Sequence, residues 1–317
     1  MQPLGLAYHE LFTRHDAGPG HPETPNRIDA VMNRINDAVW RGSVEIVEAR
    51  EATQEEVALV HLPSYIEAMR RLCEAGGEYL PAMESNVGRE SYPAAMRAVG
   101  AGLTLADGVM EGRWKIGFAP TRPPGHHAVK ARPKGFCIFC SIAVLAKYMQ
   151  QKYNLQRICI VDFDVHHGNG TQEAFWEDPT VLYCSLHRDN LFPYSSGRSA
   201  DIGAGEGEGF TVNIPLPAGS DDEAYLEAFD HYLVPKVRDF KPQVLLVSAG
   251  FDAHILDIIG GMRLTGEAYG GFAVRLLELA DQTAEGRIIS LLEGGYSIRG
   301  LEEGVSRYLG RLIEDDG

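Results

Sequence analysis

With 317 residues and 44% hydrophobic content, the chain is long enough for one large α/β domain or two ordinary ones. A formal charge of −15 on only 29 basic residues argues against nucleic acid or an anionic membrane as the main partner, and suits a cationic one. The chain lacks the run of roughly 18 apolar residues that a spanning helix needs. The N-terminal stretch MQPLGLAYHELFTRHD predicts no export signal, and five cysteines, mostly in apolar runs, predict reduced thiols in a cytoplasmic protein.

In chain order, Leu4 to Tyr8 reads as a short strand, and HDAGPGHPETPNR (His15 to Arg27) is too rich in Pro and Gly for regular structure. Thr24-Pro25 predicts an N-cap with proline at the first helical position, opening a helix toward Val39. Val44 to Val47 reads as a strand, Glu55 to Cys73 as two helical pieces interrupted near Pro63, and Gly76 to Tyr92 as a surface loop. A long helix is predicted from Pro93 to about Met110, a strand over Ile116 to Ala119, and a helix over Phe139 to Tyr153. Ile158 to Val161 and Val181 to Leu186 read as buried strands. The glycine-rich run from Gly203 to Gly209 holds two glutamates and no following lysine, so it reads as a flexible acidic loop, not a phosphate cradle. Asp221 to Phe240 is helical with Ser220 as cap, Val244 to Val247 a strand, Glu267 to Asp281 a helix, Ile288 to Leu292 a strand, and Gly300 to Ile313 a last helix. Alternation of strands and helices throughout predicts a single domain over 1–317, with a central parallel sheet and helices on both faces.

Polar clusters stand at predicted strand ends, where open α/β sheets bind ligands. In RICIVDFDVHHGNGTQ (Arg157 to Gln172) an apolar strand runs abruptly into Asp162, Asp164, His166 and His167. Residues two apart in an extended chain point the same way, so Asp164 and His166 can aim at one point. Buried carboxylates and imidazoles are costly unless paired or metal-bound. Asp252, in SAGFDAH after another apolar strand, completes one nitrogen and two carboxylate oxygens. That set suits Zn²⁺, with Fe²⁺, Co²⁺ or Mn²⁺ as alternatives. In RPPGHHAVKARPKGFC (Arg122 to Cys137), His126 and His127 follow two prolines and a glycine; a neutral imidazole there is a candidate general base. Gly135 and Phe136 can bring a carbonyl and an aromatic wall to a narrow pocket. Tyr296, in EGGYS, can donate a hydrogen bond to a developing oxyanion. Cys137-x-x-Cys140 lacks a second cysteine pair and reads as packing.

These stretches together resemble the histone deacetylase family, including its bacterial class II-like deacetylases and acetylpolyamine amidohydrolases. The likeness runs from HDAGPGHPETPNR through RPPGHHA, GFCIF, DFDVHHGNGTQ, SLH, LFP and SAGFDAH to GGY, in the family's order. It implies the arginase/deacetylase-like α/β fold, a catalytic zinc, and hydrolysis of an acyl amide on lysine, a polyamine or a small metabolite. By that resemblance Asp164, His166 and Asp252 are the zinc ligands, and His127 is the base that deprotonates the attacking water and reprotonates the leaving amine. His126 is its electrostatic partner, bonded to Asp162, and Tyr296 polarises the scissile carbonyl. Phe136 and Phe192 wall the substrate tunnel, and the Gly135 carbonyl receives the substrate N–H. A structural K⁺ is implied under the strand, at backbone oxygens of Asp162, Asp164 and His166 and at the Ser185 position. Asn169 stands where many members carry aspartate, which makes His127 less basic. Cys140-Ser141 replaces an Asn pair or Asn-Asp, and Ile259 takes the place of a glutamate found in polyamine-selective relatives. A binuclear manganese amidinohydrolase of arginase type and a non-catalytic acyl-lysine binding module stay open, as does homo-oligomerisation.

Overall fold

The apolar runs become strands of one sheet because each is covered on both faces. A computed structural model describes residues 2–313; Met1 and 314–317, the ends of the span read as one domain, lie outside the described residues. The strands are β1 (Leu4–Tyr8), β2 (Val44–Glu48), β3 (Glu78–Leu80), β4 (Ser85–Val87), β5 (Ile116–Ala119), β6 (Ile158–Asp162), β7 (Val181–Arg188), β8 (Thr211–Leu216), β9 (Val244–Ala249) and β10 (Ile288–Leu292). Eight of them form a sheet in the order β2-β1-β5-β10-β9-β6-β7-β8, every neighbouring pair parallel, while β3 and β4 make a separate antiparallel hairpin. Every residue of β6, β9 and β10 is buried, in keeping with their predominantly Ile, Leu and Val content. Alternation along β10 shows the two layers. Leu291 lies beside Gly102 of the helix Ser91–Met110, which packs on the helix Ser141–Tyr153. The Ser290 hydroxyl bonds Tyr308 (2.8 Å) of the helix Ile298–Ile313, which packs on Gly266–Thr283 and on Asn26–Asp37.

The chain order explains where a site forms. After β5 the chain leaves two places empty, continues through β6, β7 and β8, and then returns to fill the gap with β9 and β10. Ala119, Leu291, Ser248, Asp162 and Ser185 stand side by side across β5, β10, β9, β6 and β7. The polar segments that follow these strands therefore start at one level. No helix among the described residues is long and apolar enough to cross a membrane.

Several elements differ from expectation. The segment 76–92 is not a plain surface loop: it folds into the β3–β4 hairpin and buries Met83, Ser85 and Val87. Strands of three residues are too short to display a period. The next helix starts at Ser91, two residues early, because a proline in the first turn removes an N–H that has no intrahelical partner anyway. The expected Thr24 side-chain cap is absent; the helix opens at Asn26 after Pro25. The strand β8 was not foreseen. It is an edge strand, which tolerates Pro215. The run 203–209 holds a 3₁₀ turn, Gly205–Gly207, tied down by Ala204 N–H to the Trp176 carbonyl (2.9 Å). The helix over 221–240 is capped by Asp221 in place of Ser220 and contains a π-turn, Phe229–Leu233. All five cysteines are buried and free, and burial pushes the Cys140 thiol up to about 12, as a packing role requires.

Candidate active site

The donor cluster is built by a bend just beyond β6. Asp164 N–H donates to Asp162 Oδ1 (3.2 Å) and His166 N–H to Asp164 Oδ1 (2.9 Å), two successive side-chain turns that curl the chain. Asp162 is thereby aimed away from its neighbours: its Oδ2 accepts from His126 Nδ1 and from the Tyr183 hydroxyl, each at 3.0 Å. Asp164 and His166 turn to the other side, where Asp252 arrives from the loop after β9. His166 Nδ1 lies 3.1 Å from Asp164 Oδ1 and 3.0 Å from Asp252 Oδ2.

The outer carboxylate oxygens are satisfied from behind. Gly294 N–H donates to Asp164 Oδ2 (2.7 Å) and Val165 N–H to Asp252 Oδ1 (2.9 Å). A ligand atom from each of the three residues falls within 4.8 Å of the others, and all three side chains are buried. Burial and the adjacent Asp164 carboxylate push the Asp252 carboxyl above the usual carboxylate range. Two buried carboxylates facing one imidazole nitrogen fit a divalent cation, whose charge would relieve that repulsion. The space is kept by glycines: a methyl on Gly294 would collide with Asp252 Oδ2 and Asp164 Oδ2, and one on Gly250 with Asp164. Among the described residues no second grouping of three or more such donors is comparably compact.

The histidine pair reaches the cluster from the loop after β5. Burial disfavours a charge on His126, but Asp162, Asp164 and Glu293 outweigh it and raise its pKa to about 10. His127 goes the other way. Burial and the neighbouring His126 and His166 hold it well below 6.5, and only the Asn169 amide faces its Nδ1. The Asn169 NH₂ donates to the His127 carbonyl (3.2 Å), so its Oδ1 is the acceptor for His127 Nδ1–H (3.0 Å). This fixes the neutral tautomer and leaves Nε2 with a free lone pair. His167, next to His166 in sequence, does not join: its nitrogens are engaged by Ser196 and Gln172.

Around these groups stand the aromatics. The Phe192 ring meets His127 edge-on at 5.0 Å, and the Phe136 ring meets Tyr296 at 5.8 Å. Gly135 (φ 50°) and Phe136 (φ 64°) both take left-handed backbone in a turn closed by Lys134 and Cys137. A side chain at Gly135 would strike His127 and Phe192. The unforeseen hairpin holds this turn: Gly135 N–H donates to the Ala82 carbonyl (3.2 Å) and Phe136 N–H to that of Met83 (2.9 Å). Burial and nearby Asp252 push the Tyr296 phenol well above 10, so it stays a donor. Ser185 is level with Asp162, and its hydroxyl bonds His187 (2.8 Å).

Four supporting residues went unassigned from sequence. Asp257 Oδ2 accepts Tyr296 N–H (2.6 Å) and Ser297 N–H (3.0 Å), holding the tyrosine's backbone. Arg27 donates to the Gly295 carbonyl (2.6 Å) and places its guanidinium 5.1 Å from the Tyr296 ring centroid. Glu23 pairs with Arg27 (2.9 Å) and Arg122 (2.7 Å), all three fully buried. Charged residues at i and i+4 flanking a Pro-rich turn carry no mark of burial, so only Glu23 and Arg27's place in the HPETPNR stretch hinted at them.

Comparison with known proteins agrees with this geometry. The model of the Histone deacetylase domain matches residues 21–312. "Histone deacetylase 10, chloroplastic" of Oryza sativa subsp. japonica is 40% identical over 302 residues, covering 90% of this chain and 68% of that protein. "Polyamine deacetylase HDAC10" of Homo sapiens is 38% identical over 324 residues, covering 98% of this chain and 48% of that one. The crystal structure of the HDA15 HD domain superposes with a TM-score of 0.92 at 32% identity, over 100% of this chain and 91% of that one. The sheet order, the donor cluster and these matches together place the chain in the histone deacetylase family of hydrolytic deacetylases, with its arginase/deacetylase-like fold.

Proposed function

We propose that the chain is a zinc-dependent amidohydrolase that removes an acyl group, acetyl in the simplest case, from an amine. The observation that carries the reading is the convergence of Asp164, His166 and Asp252 with His127 and Tyr296 at one end of adjacent strands. Asp164, His166 and Asp252 would hold the ion; zinc fits the set, and Fe²⁺ or Co²⁺ are alternatives. When bound, such an ion acts as a Lewis acid and lowers the pKa of water at its open position.

His127 offers Nε2 to take the proton of the attacking water and to return it to the departing amine. His126, bonded to Asp162, is its charged neighbour. The Tyr296 hydroxyl donates to the oxyanion, held in register by Asp257. Phe136 and Phe192 flank the acyl-amine arm, and the Gly135 carbonyl receives its N–H. A structural K⁺ at Asp162, Asp164, His166 and Ser185 is part of the proposal. Ile259, bonded through its N–H to Asp257, brings no charge where polyamine-selective relatives carry a glutamate, which argues against strict polyamine specificity, while the net charge of −15 suits a cationic substrate. Buried free thiols support a reducing, cytoplasmic setting.

The test is metal content by elemental analysis together with hydrolysis of a fluorogenic acetyl-lysine amide, after chelation and after zinc is restored. One metal per chain and zinc-dependent release of acetate are expected. Two manganese ions per chain would overturn the reading in favour of an arginase-type enzyme. A metal-filled protein inert toward acetyl-lysine and acetylpolyamines alike would make it a binding module.

A further inference from the structure

A carboxylate beneath the histidine pair has no part in the chemistry above. Glu293 follows β10 and is 1% exposed. Its backbone N–H donates to the Ala249 carbonyl (3.0 Å), and its backbone carbonyl accepts from Arg27. The side chain lies at the carboxyl end of the central strands, between the loop after β5 and the end of β9. Oε2 accepts from Gly125 N–H (2.7 Å) and His126 N–H (3.2 Å), and Oε1 accepts from the Ser248 hydroxyl (3.2 Å). One side chain thus ties the loop after β5 to the last residues of β9 and to the end of β10.

The loop needs such a tie. Pro123 and Pro124 have no N–H, so Gly125 and His126 provide the first amides by which the loop after Arg122 can be held. Gly125 itself is pressed against the Phe139 carbonyl and Ser141 N–H, with no room for a side chain. An acceptor for both amides must therefore reach in from another strand. A buried carboxylate is costly unless hydrogen-bonded, and here it is bonded on both oxygens.

We propose that Glu293 is the positioning residue for the histidine pair, setting the height of His126 and His127 over the Asp164, His166 and Asp252 cluster. This rests on the reading of His127 as the base. The anchor works by geometry: the oxygen must reach both amides, and its charge is incidental.

Two conservative variants separate reach from charge. Glu293→Gln keeps the reach and loses the charge; its carbonyl oxygen accepts both amides while its NH₂ donates to the Ser248 oxygen. Glu293→Asp keeps the charge and loses a methylene of reach. Turnover and KM for the acetyl-lysine amide are measured in zinc-loaded protein, with metal content and the NMR signals of the His126 and His127 rings. Glu293→Gln should stay within about 3-fold of wild-type kcat with unmoved ring signals. Glu293→Asp should lose about 10-fold or more in kcat, with KM and metal content unchanged and ring signals shifted, since displacements near 1 Å can cost about 10²-fold. The reverse pattern, Gln inactive and Asp active, would assign the effect to charge and overturn the proposal. Wild-type behaviour in both variants, or loss of metal along with activity in Asp, would overturn it too. If wild type itself shows no turnover, the deacetylase reading fails, while the ring signals still report whether the anchor holds.

Discussion

The two adjacent imidazoles are pushed in opposite directions, because carboxylates outweigh burial at His126 whereas burial and two neighbouring imidazoles act on His127. Asp162 and its neighbours hold His126 as a cation, while Asn169 leaves His127 neutral with its proton on Nδ1. Asn169→Asp should therefore raise the pKa of His127. A higher pKa keeps the base protonated to higher pH, so the acidic limb of kcat/KM against pH should move upward. An unmoved limb would take His127 out of the base role. Tyr296 touches neither carboxylate by a side-chain hydrogen bond, so its hydroxyl can be removed without disturbing the donor cluster. Tyr296→Phe should lower turnover about 10²-fold or more with metal content unchanged. Wild-type turnover in that variant would remove the phenol from the mechanism.

At the level of elements, the site depends on strand ends that stop level with one another and on glycines that let loops pass between them. Gly294 shows this most directly. Its N–H bonds Asp164, and its α-carbon leaves no room for a methyl between Asp164 Oδ2 and Asp252 Oδ2. Gly294→Ala should force the two carboxylates apart and strip the cation affinity. Dialysed against metal-free buffer, the variant should lose zinc that wild type retains; equal retention would show that the loop yields without opening the cluster. The β3–β4 hairpin has a comparable place. By bonding Gly135 and Phe136 through Ala82 and Met83, it sets one wall of the pocket.

On the scale of the molecule, the first sixth of the chain is riveted to the sheet by buried charge. Glu23 pairs with both Arg27 and Arg122, which reach the carbonyls of Gly295, Phe12 and His15. Glu23→Ala would leave two guanidinium groups buried against each other and should cost roughly 3–5 kcal/mol in denaturant unfolding. A loss near zero would mean that water enters the gap at little cost. Buried histidines set the acid side of stability. His61 accepts from Cys140 N–H (2.9 Å) and donates to the Val129 carbonyl (3.1 Å), and burial lowers its pKa to about 4. Its unfolded value is near 6.5, so the unfolded state binds the proton first. The stabilising contribution is whole above about 6.5 and is lost as pH falls toward 4. His61→Gln should flatten the fall of Tm across that interval; an unchanged slope would place the titration elsewhere.

The sequence by itself determined the βα alternation, because short runs rich in Ile, Leu and Val are too brief for buried helices and suit strands covered on both faces. It also determined the chemical inventory of the site, since carboxylates and imidazoles after such runs stand out against an apolar background. Asp164, His166, Asp252, His126 and His127 stood out for that reason, and Tyr296 as a phenol after the glycines of EGGY. Tertiary structure decided what local pattern cannot encode. The filling of the gap by β9 and β10 brought Asp252 and Tyr296 to β6. The hairpin strands carry too few residues to show a period, and the edge strand β8 holds Pro215, which reads against a strand. Glu23, Arg27, Asp257 and Glu293 received no role from sequence, because their burial depends on partners as distant in sequence as Arg27 and Gly295. A residue's burial belongs to the packed molecule, and so does every role that burial confers.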